Sequence, residues 1–202
     1  MRRWTLAIPS FLLLCLPPLL TGQQPPLSQQ LASAVLPLPE ALREEATVLG
    51  YRDGQPLVEL RRGTNGIVCE ADDPDDDRFR SLCYAESLRP LLERRRELRR
   101  LGLEASDVTA RLNAEAKAGD LDLPDGPAAL YVLSGPADGY DAGTNALSDE
   151  VERLYILVTP YATAEAVGLS KERRDGAPWM MNSGQLFSHI MILPDVGAGE
   201  DR

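Results

Sequence analysis

Between residues 46 and 71, β-branched, aromatic and leucine side chains come in three short runs, 46–52, 56–62 and 66–71, separated by Asp53-Gly54 and Asn65-Gly66. Both dipeptides suit the positive φ angles of tight hairpin turns, so the pattern predicts a three-stranded antiparallel meander. The period then changes. Leu88, Leu91, Leu92, Leu98 and Leu101 recur at helical spacing, with Ser87 and Pro90 near the start and Gly102 as the stop. A second helix follows, with Ser106 as its expected cap, Val108, Leu112 and Ala116 on one face, and Gly119 after its end. Further strands are expected at 129–134, 151–159 and 186–193, the last alternating between two faces, with Gly-, Asp- and Pro-rich loops at 135–150 and 168–178. Strands, then helices, then strands imply an α+β domain. The expected architecture is a mainly antiparallel sheet starting with the meander, with two or more helices packed on one face.

The ends of the chain follow other rules. Arg2 and Arg3 precede an apolar stretch from Leu6 to Leu20 and the small pair Thr21-Gly22, the three parts of a secretory signal peptide over 1–22. Pro9, Pro17 and Pro18 interrupt the stretch, and it is shorter than a bilayer span. Leu14 before Cys15 is unlike the small residue of a lipid-attachment signal. Residues 23–39, with Pro25, Pro26, Pro37 and Pro39 among Gln and Ser, read as a flexible arm. Residues 40–194 then form a single domain, and 195–202 are expected to be a disordered tail.

Export changes what the remaining residues mean. Cys69 and Cys83 become an even pair in an oxidising compartment and are expected to form a disulfide, since they lack the Cys-x-x-Cys spacing of a redox pair. Loss of Arg2 and Arg3 with the leader takes the formal charge from −10 to −12. Such a chain repels nucleic acid and anionic lipid. The expected location is secreted or periplasmic, with a protein or small-ligand partner in the cell envelope and no transmembrane segment after signal cleavage. Gly63-Thr64-Asn65-Gly66-Ile67-Val68-Cys69, Pro178-Trp179-Met180 and His189-Ile190-Met191-Ile192 together resemble a group of uncharacterised exported bacterial proteins, over about residues 46–194. That resemblance implies export and a single domain, and brings no activity with it.

His189 is the only histidine, so every imidazole mechanism depends on it. A hydrolase would use it as base, with Ser134 or Ser183 as nucleophile, though neither lies in a Gly-x-Ser-x-Gly elbow. His189 and Met191 share a strand face, with Met180 and Met181 just upstream, a donor set that suits copper. Asp72, Asp73, Asp75, Asp76 and Asp77 gather oxygen ligands but lack EF-hand spacing, because Arg78 stands at the glycine position. The first helix carries the chain's basic region, where Arg95, Arg96 and Arg99 are candidates for contact with an anion or an acidic partner. The leading expectation is noncatalytic binding of a partner or ligand in the cell envelope, with no resident cofactor. Metal binding through His189 and the methionines, and hydrolysis, are the alternatives.

Overall fold

The computed structural model describes residues 24–174 and 176–194, so the expected leader at 1–22 and tail at 195–202 lie outside the described residues. Its centre is an eight-stranded, mostly antiparallel sheet. The strands are β1 (Thr47–Arg52), β2 (Gln55–Arg61), β3 (Ile67–Glu70), β4 (Arg78–Ala85), β5 (Ala128–Pro136), β8 (Glu152–Val158), β9 (Trp179–Met181) and β10 (His189–Ile192), in the order β2-β1-β3-β4-β5-β8-β10-β9. A small hairpin, β6 (Tyr140–Asp141) with β7 (Ala146–Leu147), stands apart, within a segment expected to be loop.

The first turn forms as its residues require: Asp53 and Gly54 take φ angles of 51° and 73°, and Arg52 pairs with Gln55. The meander does not continue. β3 pairs in parallel with β1, on the side away from β2. Gly63 allows the crossing, because a Cβ there would lie 2.2 Å from the Glu45 carbonyl oxygen and 2.3 Å from the Thr47 nitrogen. Asn65-Gly66 therefore serves as an anchor at the entry to β3. Asn65 Nδ2 donates to the Leu42 carbonyl, and Asn65 Oδ1 accepts from the Ile67 N–H.

Side chains alternate across β3 and β4, and each face takes a different cover. Cys69 and Cys83 are directly opposed and joined as a disulfide, 4.0 Å apart at Cα. Their face is covered by α1 (Leu27–Ala34) and the segment after it, with Ala34, Val35 and Leu38 buried against Val48 and the two cysteines. Residues 24–39 are thus packed, where a flexible arm was expected. The polar composition that suggested mobility is consumed by backbone partners. Gln30 donates to the Tyr51 carbonyl at 3.0 Å and accepts from the Tyr51 N–H at 2.7 Å. Ser81 donates to the Ala34 carbonyl at 3.0 Å, and Arg153 to the carbonyls of Leu36 and Pro37. Gly50 leaves the room this needs, since a Cβ there would meet Gln30 Oε1 at 2.5 Å.

The opposite face carries Leu49, Val68, Leu82, Tyr84 and Leu130, covered by Leu92 of α3 (Arg89–Arg100) and by Leu88 just before that helix. Helices therefore lie on both faces, where one was expected. α4 (Ala105–Ala118) packs on α3 through Val108 and Leu112 against Leu91 and Leu98. Arg94 forks onto Glu115 at 2.8 and 2.7 Å and locks the pair. Gly102 and Gly119 end these helices at φ 80° and 79° as expected, whereas the N-cap of α4 is Glu104 and not Ser106. Two short helices, α2 (Glu40–Arg43) and α5 (Ala164–Val167), complete the fold. None of the helices among the described residues is long and apolar enough to cross a membrane.

If Gln30 fastens α1 to the sheet, Gln30→Ala takes the side-chain acceptor from the Tyr51 N–H, leaves the Tyr51 carbonyl only its Gln24 donor, and lowers stability by about 1–3 kcal/mol. Urea denaturation measures the loss, and limited proteolysis should show 24–39 cut readily only in the variant. A neutral substitution would mean that the segment is held some other way.

Candidate functional site

A cleft of about 440 Å³ opens between α3 and the sheet, on the face opposite the disulfide. The chain brings it together from distant segments. β4 contributes Arg80 and Leu82, β5 contributes Leu130 and Val132, α3 contributes its arginines, and the 72–77 loop closes one side with Asp73 and Asp76. Leu57 enters from β2 at a bulge where its φ is 52°, a left-handed conformation that costs a leucine energy and holds its side chain with Leu49 and Val68.

The orientation of α3 rests on Glu70. Its Oε1 accepts from Arg96 Nη1 at 2.6 Å and from the Tyr84 hydroxyl at 2.7 Å, and the residue is 7% exposed. Burial and the neighbouring Glu70 carboxylate push the Tyr84 phenol far above its ordinary range, so it remains a donor. With Arg96 satisfied, the next arginines on the same surface of α3, Arg95 and Arg99, face the cleft together with Arg80. Among the described residues none of these three has a carboxylate at ion-pair distance. Burial lowers the pKa of Arg95, and the like charges of Arg99 and Arg80 lower it further. Its guanidinium stands 5.3 Å over the Phe187 ring. Three clustered cations, Arg95 partly buried and Arg80 and Arg99 exposed, with no carboxylate at ion-pair distance among the described residues, favour an incoming anion. A second hollow of about 440 Å³ adjoins this one along α3, but there Arg94 and Arg96 are already tied to Glu97, Glu115 and Glu70, so it presents less unsatisfied charge.

All three expected arginines thus line one cleft, Arg96 as a paired support and Arg95 and Arg99 as unpaired cations. Arg80, Glu70 and the leucine floor also belong to the cleft, with Tyr84 holding Glu70, and none of them carries a site signal in the sequence. Arg80 and Leu82 alternate with Phe79 and Ser81, a strand signal hidden behind the acidic stretch.

The remaining candidates are separated. Met181 pairs directly with His189, and Met191 shares their face, but Met180 pairs with Ile190 and points to the opposite side, buried beside the Ser188 hydroxyl. The expected four-residue metal set is therefore split by strand alternation. His189 Nδ1 lies 2.7 Å from the Phe187 carbonyl, the position a triad would give to a carboxylate. Through the register, His189 aligns with Val158 and Ala128, whereas Ser134 aligns with Glu152, six positions or roughly 20 Å along the strands. The Ser183 hydroxyl accepts from the Ala164 N–H at 2.9 Å and holds the start of α5. In the acidic loop Asp72 accepts from the Arg80 N–H and Asp73 from the Asp75 N–H. Among the described residues no group of three or more His, Cys, Asp or Glu side chains is placed to hold a metal ion.

In comparisons with known proteins, the chain matches no family model, no curated protein and no solved structure.

Asp72, at the edge of the cleft, has its carboxyl pushed up to about 6 by burial, with Asp76 and Asp73 adding to the rise and the Arg80 N–H opposing it. A carboxyl raised on folding favours the protonated form, so ionised Asp72 weakens the fold above about pH 6 and the penalty is gone below the ordinary value of 3.8. Asp72→Asn, which keeps the acceptor for Arg80, should be more stable than wild type at pH 7, with the gap closing as pH falls from 6 to 4. Urea melts across that range measure it, and a gap independent of pH would contradict the assignment.

Proposed function

We propose that the protein is an exported, noncatalytic binding domain whose cleft between α3 and the sheet receives an anionic ligand in the cell envelope. The observation that carries this reading is the cluster of Arg80, Arg95 and Arg99, which share a cleft and lack carboxylate partners among the described residues. Five arginines and three carboxylates line the cleft, a net positive surface in a chain of formal charge −10. A negative body with a positive cleft repels anions elsewhere and concentrates them here. Export is supported by the leader pattern at 1–22 and by the Cys69–Cys83 disulfide, which persists in oxidising compartments.

The noncatalytic part rests on the disposition of chemistry around the cleft. Tyr84 and Tyr51 are both held protonated, Tyr51 by burial and the facing Asp73, so neither serves as a base near neutral pH. His189 lies on β10 and does not line the cleft.

Binding of an anion to the native state raises its melting temperature. Thermal melts of the mature protein with a panel of carboxylates, sulfates and phosphates should give rises in wild type that disappear in Arg95→Gln/Arg99→Gln. Wild type and double variant responding alike to every compound would refute the proposal.

A further inference from the structure

The same cleft says what the rest of its ligand is made of, an inference that rests on the anion reading above. In the same cleft Leu57, Leu82, Leu92 and Leu130 are only partly buried, and Val132, paired with Leu82, is buried. These are side chains of the sheet and of α3 that would complete a core if the cleft were closed. They are left partly open to water. Apart from the arginines, the polar side chains lining the cleft are Tyr51, Glu70, Asp73 and Asp76, with no Ser, Thr, Asn or Gln among them. Tyr51 faces Asp73, and Glu70 is occupied by Tyr84 and Arg96.

Those facts discriminate between classes of anion. A sugar phosphate or another polyol anion would press its hydroxyls against leucines and leave them without partners, which is unfavourable. A free inorganic anion would satisfy the arginines and leave the leucine floor wet. An apolar body on an anionic head satisfies both halves: the head meets Arg80, Arg95 and Arg99, and hydrocarbon displaces water from the floor. The cleft's volume lies within the range of small-molecule sites.

We infer that the ligand is an amphiphilic anion, a carboxylate or phosphate monoester carrying a hydrocarbon chain, seated with its head on Arg80, Arg95 and Arg99 and its chain along Leu57, Leu82, Leu92 and Leu130. The two head groups share the guanidinium chemistry, and the test separates them.

Calorimetric titration of the full mature protein below micellar concentrations provides that test. The probes are acetate, hexanoate, octanoate, inorganic phosphate, octyl phosphate and octanol. Affinity should rise about fourfold per methylene from acetate to octanoate, and octanol should bind at least tenfold more weakly than octanoate. Whichever of octanoate and octyl phosphate binds tighter identifies the head, and either order supports the inference. Leu92→Gln, at a partly exposed helix position, should flatten the dependence on chain length. Leu130→Thr repeats the measurement from the sheet side should Leu92→Gln fold poorly. If inorganic phosphate and acetate bind as tightly as their octyl counterparts, the hydrocarbon assignment is overturned and the anion reading stands. If octanol binds as tightly as octanoate and Arg95→Gln/Arg99→Gln changes nothing, the anion reading fails with it.

Discussion

The Glu70 carboxylate accepts hydrogen bonds from Tyr84 and Arg96 on one oxygen, and the orientation of α3 over the sheet follows from that buried contact. Among the described residues it is the ion pair that joins α3 to the sheet; the other inter-element pair of that helix, Arg94 with Glu115, joins it to α4. A charge buried in such a pair is stranded when its partner is removed, a loss of about 3–5 kcal/mol. The helix is therefore not free to roll. With Arg96 pinned, Arg95 and Arg99 are carried toward Arg80, and their mutual repulsion is the electrostatic cost of an open anion site.

The other face of the sheet explains how that site stays open. The disulfide and α1 fill the Cys69 and Cys83 side, where Val48, Ala71 and Leu38 make a dry core. Gln30 and Ser81 satisfy the backbone groups that α1 and β1 would otherwise expose. Stability is concentrated there and in the α3–α4 pair. Between these two cores the leucines of the cleft can remain partly wet without unfolding the domain. Glu115, held at about 2 first by Arg94 and then by Arg111, keeps the helical pair locked through ordinary acid conditions.

Local signals were legible in the chain; pairings between distant segments were not. Asp53-Gly54 specifies its turn through backbone conformation alone, and Gly102 and Gly119 stop their helices for the same reason. The basic face of α3 is plain from the spacing of its arginines. β4 was not legible, because Ser81 and Arg80 read as polar until the carbonyls of α1 and the cleft are known to receive them. Gln30 and Ser33 likewise read as a mobile segment until their partners on β1 and β4 appear. The parallel pairing of β3 depends on a crossing at Gly63, whose contact at the start of β1 is made with residues some sixteen positions away. The cleft floor had no linear signature, since Leu82 and Leu130 meet only through the β4–β5 pairing.

An anion seated in the cleft touches individual guanidinium groups, so they are best observed one by one. Nitrogen-15 NMR of the arginine Nε–Hε groups during titration with octyl phosphate does this without altering the protein. Shifts are expected at Arg80, Arg95 and Arg99, while Arg96 stays in place because Glu70 holds it and the exposed Arg62 does not respond. Shifts spread evenly over surface arginines, or an Arg96 that moves with the others, would contradict that expectation.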